Sequence, residues 1–464
     1  MKIAGLRWWI VVLLFLAAVL NYVDRQTLSA LAPTIQADLG MDDRDYANIV
    51  NIFLVAYTLS YLVSGKLADR IGTRGSMVLF VAWWSVANML TAAAHGIRSL
   101  GAYRFLLGLG EAGVWPAASR AVSEWLPARE RALAIGIYTM GATAGATVAP
   151  YVVIPLASFP YAEKFPLVQS VLGAGAGWRI AFVLTGAAGL AWLLPWLWLY
   201  RLPRQSPYLG DDERRLISEA EALTRDADEG APWTWGRIFG SRVVWLLLLG
   251  RLLTDPAWYF YQFWFPKYLN AERGLSQQAL TITWVVYAAA GVGSLLGGWL
   301  SGRLVRRGID PPASRMWVMV GCACLMPLSS LIPAADSTAA AMAITSIVVI
   351  ASLAWLINLG SLVIDLIPRH SLGTVFGVVA AGSTIGGMLM NTLVATMVSG
   401  PATKPAGFLD QSVQAVFGWV LDAVAGKGYA QWFILMSILH PIALLMLFFG
   451  GAHRPHRADN QPAA

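Results

Sequence analysis

The chain has 464 residues, of which 57% are apolar and only 13% are charged, and its mean hydropathy is +0.59. This composition excludes an ordinary soluble protein and is typical of a protein that crosses a membrane many times. The net charge of +7 would suit a nucleic-acid-binding protein, but most of the 33 Lys and Arg residues fall in loops on one side of the predicted spans, so the charge indicates topology instead.

Twelve apolar runs are long enough to cross a hydrocarbon core of about 30 Å. They are predicted to form membrane-spanning helices at residues 8–32, 46–65, 75–94, 99–121, 131–156, 178–200, 243–266, 279–302, 315–334, 338–365, 372–398 and 429–450. The positive-inside rule places both termini in the cytoplasm. The first span lacks a small-residue cleavage site, so it is not interpreted as a signal peptide.

A polar segment, residues 201–242, separates six spans from six and is predicted to be a cytoplasmic linker with an amphipathic helix. The stretch "GKLADRIGTR" follows the second span and "GGWLSGRLVRRG" follows the eighth, which indicates a duplicated architecture. The sequence therefore predicts an all-α polytopic membrane protein with two pseudo-symmetric six-helix bundles, residues 1–200 and 243–452, and a cytoplasmic tail at 453–464. In transporters, such a duplication places the substrate site between the halves.

Four charged residues fall well inside the first and fourth predicted spans, Asp24 and Arg25 in the first and Arg104 and Glu111 in the fourth. Charges at this depth are costly and usually face a bundle interior or a cavity. Two interpretations are open. The residues form structural ion pairs, Asp24 with Arg25 or Arg104 with Glu111, or the arginines bind a carboxylate or phosphate. In the second case, anion binding would favour protonation of a nearby acid and so couple the anion to a proton.

The loop after the second span has the pattern G-x-x-x-D-R-x-G-x-R, formed by Gly65, Asp69, Arg70, Gly72 and Arg74. We expect Asp69 to end a helix and to pair with basic groups of a neighbouring helix in one conformation only, as a gate latch. The alternative is that these charges only set the topology.

The seventh span, "GRLLTDPAWYFYQFWFPKYL", places Arg251, Asp255, Trp258 or Tyr259, and Gln262 on one helical face. A charged, aromatic and amide-bearing face suits a site for a hydroxylated ligand and a moving gate. Alternatively, Arg251 and Asp255 form an i,i+4 pair and the aromatic residues form a lipid belt.

Several further residues in or near the spans are interpreted from their position. Asn358 is a further candidate for a hydroxyl partner. His95 and His440 are interpreted as interfacial. Cys322 and Cys324 lie in one apolar run without nearby His or carboxylates, so no metal site is predicted.

The twelve spans and the loop motif resemble the major facilitator superfamily. In detail, "NYVDR" (21–25), Tyr57 in "AYTLSYLVSG" and "RFLLGLGEA" (104–112) are similar to motifs of its anion:cation symporter branch, and the seventh span resembles that of hexuronate permeases. The resemblance implies that Arg25 and Arg104 hold a carboxylate. It also implies that Asp24 and Glu111 carry protons and that Tyr22 and Tyr57 bind hydroxyls. Thr384 stands where galactonate-type members have an asparagine.

The resemblance further implies a proton-coupled symporter of the bacterial inner membrane that imports a sugar acid, most closely a hexuronate such as glucuronate or galacturonate, by alternating access. It implies a functional monomer in the lipid bilayer, with no cofactor other than the proton and no nucleic-acid partner. The alternatives are a carrier of another organic anion, such as galactonate, glucarate or an aromatic acid, or an organophosphate exchanger that uses Arg25 and Arg251. A membrane-embedded enzyme or sensor is disfavoured, since no nucleophile and base pair stands out.

Overall fold

A computed structural model describes residues 2–164, 176–225, 233–367, 369–400, 418–419 and 421–451. The helices of this part of the chain are α1 (Leu6–Ala30), α2 (Ala32–Leu39), α3 (Asp43–Thr91), α4 (Ile97–Ala112), α5 (Val114–Trp125), α6 (Ala128–Ser158), α7 (Tyr161–Lys164), α8 (Ala176–Leu199), α9 (Asp211–Arg225), α10 (Trp235–Gly240), α11 (Arg242–Phe263), α12 (Phe265–Arg273), α13 (Trp284–Arg306), α14 (Pro311–Leu325), α15 (Thr338–Leu366), α16 (Arg369–Ser399) and α17 (Tyr429–Gly450). The predicted all-α fold is confirmed.

Nine segments in the described ranges are long and apolar enough to cross a membrane. They coincide with the first and the fifth to twelfth predicted spans. The second and third spans are the two arms of α3, and the fourth is formed by the consecutive helices α4 and α5. Hydrophobic run length was therefore sufficient to locate the helices, because each must bury its backbone polar groups within itself in a bilayer.

Gly72 divides the long helix α3 into its two arms. Its φ of 74° and ψ of 165° lie outside the helical region, in a conformation that glycine adopts without a Cβ clash. The expectation that Asp69 ends a helix is wrong, because helical structure continues to Ile71. The break falls at the glycine of the motif, where the backbone requires it.

The described chain forms two compact units. The first unit comprises Met1–Glu229 together with Gln262–Tyr287, and the second comprises Gly230–Tyr261 together with Ala288–Ala464. The predicted domain boundaries at residues 200 and 243 stay a prediction. The predicted tail at 453–464 lies outside the described residues.

Within the first unit, the linker is anchored to the start of α1. Arg7 donates hydrogen bonds from Nε to Glu130 Oε2 at 2.9 Å and from Nη1 to Glu213 Oε1 at 2.5 Å. The other oxygen of Glu213 accepts from the backbone N–H of Leu6 at 3.1 Å. A carboxylate at this position satisfies a free N–H of the first helical turn and opposes the helix dipole. The first turn of the predicted linker helix, α9, thus contributes Glu213, which accepts a hydrogen bond from the first turn of α1.

Two glycines let α6 approach α1 closely, as the spacing in "GATAGATVAP" suggests. A Cβ at Gly141 would lie 2.5 Å from the carbonyl oxygen of Phe15, and a Cβ at Gly145 would lie 2.3 Å from that of Val19. Small residues at four-residue spacing allow helices to pack backbone to backbone in a membrane. This contact fixes α1, which carries Asp24 and Arg25.

We expect Gly145→Ala to lower the thermal unfolding midpoint of the detergent-solubilised protein. The new methyl group would meet the backbone of Val19, which moves only with the whole helix, and overpacking of this kind costs about 1–3 kcal/mol. Gly136→Ala is the matched control, because a Cβ there meets nothing within 4 Å on the same helix. Equal midpoints for the two variants would contradict the prediction.

Candidate functional site

The six substrate-binding and proton-coupling residues predicted from the first four spans lie on α1, α3 and α4 of the first unit: Tyr22, Asp24, Arg25, Tyr57, Arg104 and Glu111. At their centre, Arg25 forms an ion pair with Glu111. Its Nε and Nη2 donate to Glu111 Oε2 at 2.9 and 2.6 Å, and both side chains are buried. Glu111 Oε1 has no hydrogen-bond partner in the described chain. This pair joins two helices that are far apart in sequence.

Asp24 faces away from Arg25, since consecutive helical residues are rotated by about 100°. Its carboxylate accepts hydrogen bonds from Trp84 Nε1 at 3.1 Å and from Asn88 Nδ2 at 2.6 Å, both on α3. Neither pairing considered from the sequence, Asp24 with Arg25 or Arg104 with Glu111, is the one present. Asp24 accepts hydrogen bonds from neutral donors, and Glu111 is paired with Arg25.

Aromatic rings surround the guanidinium group of Arg25. Its Cζ lies 4.7 Å from the ring centre of Tyr22, 4.8 Å from that of Tyr57 and 5.4 Å from that of Phe53. Rings at this distance stabilise a desolvated cation through their quadrupoles. The predicted roles of Tyr22 and Tyr57 as partners of substrate hydroxyls stay predictions.

Arg104 differs from Arg25 in having unused donors. It is 1% exposed, and its Nε and Nη1 have no hydrogen-bond partner among the residues that the structure describes. Its nearest aromatic neighbour is Phe53, 5.5 Å from Cζ. A buried cation without hydrogen bonds is costly. These two N–H groups are therefore the site's most direct indication of an anionic ligand.

The segment Gln262–Tyr287 belongs to this unit although it follows the linker. The hydroxyl of Tyr46 donates to the carbonyl of Phe263 at 2.6 Å, and Lys267 forms an ion pair with Asp43. Burial lowers the pKa of Lys267 below its ordinary value, and the charge of Asp43 opposes that shift. No sequence signal indicates this contact, since Lys267 has the position of an ordinary residue that flanks a span.

The other residues predicted from the seventh span are divided between the two units. Arg251 Nε lies 3.1 Å from Asp255 Oδ2 in the second unit, so the i,i+4 pair considered as an alternative is present. Gln262, one turn beyond Trp258 and Tyr259, falls in the first unit, where it is buried and its Oε1 has no partner within the described ranges. The gating role of Arg251 and Asp255 stays a prediction.

Two further candidates of the second unit bind the backbone. Asn358 Nδ2 donates to the carbonyls of Gly297 and Ala354 at 3.1 and 2.8 Å, which ties α15 to α13. Thr384 Oγ1 donates to the carbonyl of Ala381 at 3.1 Å within its own helix, α16. Both side chains are buried. Their predicted contacts with a substrate remain untested.

In the loop motif, Gly65 lies in the first arm of α3, and the side chain of Asp69 lies outside the described part of the chain. Arg70 is exposed, and Arg74 Nη2 donates to the carbonyl of Leu197 at 2.6 Å. The described ion pair next to the motif is between Arg120 and Glu124 on α5, at 2.9 Å. The latch role of the motif stays a prediction.

Glu124 is a centre that the sequence interpretation missed. Besides Arg120, its carboxylate accepts from Thr73 at 2.8 Å and from the hydroxyl of Tyr200 at 2.5 Å. It thus connects α3, α5 and the end of α8. Its place five residues before Arg129, in a loop that follows the fourth predicted span, was the available signal.

The interpretation of His440 as interfacial is wrong. It is fully buried near the middle of α17, its ring lies 5.1 Å from that of Trp355, and neither ring nitrogen has a hydrogen-bond partner in the described ranges. Asn21 and Gln26 on α1 were also missed. Both are buried and have side-chain amide atoms without partners in that part of the chain.

An ion-paired, aromatic-lined charge cluster inside a bundle of membrane-spanning helices defines a polytopic membrane transporter. Residues 14–390 match the family model of the Major Facilitator Superfamily. The chain belongs to the Major Facilitator Superfamily, whose members are transporters and not enzymes.

Among proteins of known role, the "Hexuronate transporter" of Escherichia coli K12 is 31% identical over 317 residues, 68% of this chain and 67% of that protein. The "Galacturonate transporter" of Dickeya chrysanthemi is 31% identical over 64% of this chain and 82% of that protein. The "D-galactonate transporter" of Escherichia coli O6:H1 is 29% identical over 86% of this chain and 91% of that protein.

Solved structures are similar in fold over almost the whole chain. A bacterial homolog of the human lysosomal transporter Spinster has a TM-score of 0.75 at 20% identity, covering 98% of each chain. The D-xylose-proton symporter has a TM-score of 0.68 at 15% identity, covering 94% of this chain and 96% of that one. These similarities confirm the twelve-helix fold, which many transporters with different substrates share.

Proposed function

We propose that this protein is a proton-coupled symporter that imports a sugar-acid anion, a hexuronate such as glucuronate or galacturonate, across a bacterial inner membrane. The observation that carries the proposal is Arg104, a buried guanidinium group with two N–H donors that nothing in the described chain satisfies. A planar guanidinium holds a carboxylate through two parallel hydrogen bonds along an edge that includes Nη2, and each of the two edges of Arg104 contains one of these donor nitrogens. The named transport of hexuronate, galacturonate and galactonate by the similar bacterial proteins supports the sugar-acid class.

The Arg25–Glu111 pair supplies the coupling. A substrate carboxylate that reaches Arg25 competes with Glu111 for the same N–H groups, because Glu111 Oε2 occupies both Nε and Nη2. A carboxylate displaced from its cation in a buried site gains a strong preference for the protonated form. Substrate binding and protonation of Glu111 therefore favour each other, and the effect is reciprocal.

Asp24 occupies a different position in this scheme. Its oxygens are bound by Trp84 and Asn88 and have no described contact with either arginine at hydrogen-bond distance. The substrate carboxylate therefore does not displace Asp24 from a cation. We infer that Glu111 is the acid whose protonation follows substrate binding, and that Asp24 responds to rearrangement of α1 against α3.

The organophosphate exchanger is less well supported than it was from the sequence. That alternative needs Arg251 as a second cation for a phosphate, but Arg251 is already paired with Asp255 on its own helix. A dianion would also require more free positive charge than Arg104 provides. A symporter for a monocarboxylate requires only Arg104 and the Arg25–Glu111 pair, which lie in the first unit.

Uptake by the purified protein in liposomes tests the proposal. With an inward proton gradient, we expect radiolabelled glucuronate or galacturonate to accumulate above its external concentration, and we expect an uncoupler to abolish the accumulation. Excess galactonate, glucarate, an aromatic acid and a sugar phosphate should compete less well than the unlabelled hexuronate. Counterflow without dependence on a proton gradient, with best competition by the sugar phosphate, would instead identify an exchanger.

A further inference from the structure

Gln26 follows Arg25 on α1 and is 1% exposed. Its Oε1 accepts hydrogen bonds from the hydroxyl of Tyr287 at 2.7 Å and from that of Ser29 at 2.8 Å. Its Nε2 has no partner among the described residues. Two hydroxyl groups thus hold one end of the side-chain amide and leave the other end unsatisfied.

The unsatisfied amide belongs to the same buried group as Arg104. Gln26 follows Tyr22 by four residues on α1 and so shares its helical face, and the ring centre of Tyr22 lies 4.7 Å from Arg25 Cζ. The ring centre of Phe53 lies 5.4 Å from Arg25 Cζ and 5.5 Å from Arg104 Cζ. All of these residues are in the first unit. The amide and the two unused N–H groups of Arg104 are therefore unsatisfied polar groups of one site.

The chemistry of the amide selects the ligand group. Leaving a buried polar group unpaired costs about 1–3 kcal/mol, so a ligand that satisfies it gains affinity. The O and N atoms of an amide are assigned from the hydrogen-bond network, and Tyr287 and Ser29 could also accept from Nε2. A hydroxyl satisfies the free end in both orientations because it both donates and accepts. A carboxylate satisfies only one of them.

We propose that Gln26 binds a hydroxyl group of the substrate and so distinguishes a polyhydroxylated acid from an acid without hydroxyls. This inference rests on the proposed function, in which the carboxylate of the same substrate is held by the arginines. Tyr287 and Ser29 are positioning residues that fix the amide. Because Gln26 shares a helical face with Tyr22, whose ring contacts the guanidinium group of Arg25, one ligand spans both the charged and the hydroxyl-binding parts of the site.

Two probes of equal ring size separate these parts, glucuronate and cyclohexanecarboxylate, which has a carboxylate and no hydroxyls. We expect Gln26→Leu to raise the Kd of the full-length protein for glucuronate about tenfold, the effect of one lost hydrogen bond, and to leave the inhibition constant of cyclohexanecarboxylate unchanged. Thr27→Val is the matched control, because Thr27 is buried on the same helix and its hydroxyl binds the carbonyl of Val23.

Tyr287→Phe provides a second variant that keeps the ring and removes only the hydroxyl. It should raise the Kd for glucuronate less than Gln26→Leu does. The double variant should bind glucuronate no more weakly than Gln26→Leu alone, because Tyr287 acts through the amide. Independent, additive effects of the two changes would remove Tyr287 from the positioning role.

The outcomes separate this inference from the proposed function. If wild-type protein binds glucuronate and Gln26→Leu binds it equally well, the inference fails and the proposed function stands. The same holds if Gln26→Leu weakens both probes equally, which would indicate a structural role. If wild-type protein binds no sugar acid at all, the proposed function fails and the inference fails with it.

Discussion

Replacement of Arg104 by Ala is expected to abolish sugar-acid uptake and to leave a folded protein in the membrane. Two charge-assisted hydrogen bonds to a carboxylate contribute about 1.5–3 kcal/mol each, so their loss weakens binding by about 10² to 10⁴-fold. Nε and Nη1 of Arg104 make no hydrogen bond within the described chain, so the substitution breaks no hydrogen bond of these two nitrogens. Uptake into liposomes and size-exclusion profiles of the detergent-solubilised variant measure the two effects separately.

Arg98→Ala is the matched control for this variant. Arg98 lies on the same helix, α4, but is exposed, so its loss should leave uptake unchanged. Arg104→Lys should retain only a small part of the activity, because an ammonium group keeps the charge and loses the planar pair of donors. Normal uptake by Arg104→Ala would remove Arg104 from the substrate site and with it the main support for an anionic ligand.

The sequence predicted the helices well, for a physical reason. A span must be a continuous apolar run of about 20 residues, so its position is encoded locally. The close contact between α6 and α1 was also encoded locally, in the four-residue spacing of Gly141 and Gly145. The break inside α3 falls at Gly72, and glycine is a local sequence signal for a non-helical backbone conformation.

The partners of the buried charges could not be predicted in the same way. Arg25 and Glu111 are 86 residues apart, and which bases face which acids depends on how α1 and α4 are rotated against each other. Sequence spacing compares only residues on one helix, so it offered two intrahelical pairings that the structure does not contain. The contact of Gln26 with Tyr287, across 261 residues, has no local signal.

The second large effect is expected for Glu111→Gln, which should lose proton-driven accumulation and keep exchange. An amide has nearly the shape of the carboxylate but does not ionise, so substrate binding can no longer be linked to a proton at this position. We expect accumulation under an imposed proton gradient to fall at least about tenfold, in the range of typical coupling energies. Counterflow of labelled against unlabelled substrate should change by less than a factor of about three.

Direct measurement of protons makes this test independent of transport rate. Substrate added to wild-type protein in weakly buffered detergent solution should remove protons from solution, because displacement from Arg25 favours protonation of Glu111. Glu111→Gln should bind substrate without that uptake. Proton uptake of equal size in both proteins would assign the coupling to another acid.

Asp24→Asn separates the two buried acids. Both oxygens of Asp24 accept hydrogen bonds, from Trp84 and Asn88, so an amide there must turn an N–H group toward one of these donors. We therefore expect this variant to lower the thermal unfolding midpoint and to slow accumulation and counterflow alike. If it instead abolishes accumulation alone while Glu111→Gln impairs both modes, the proton follows Asp24, and the Arg25–Glu111 pair is a structural tie between α1 and α4.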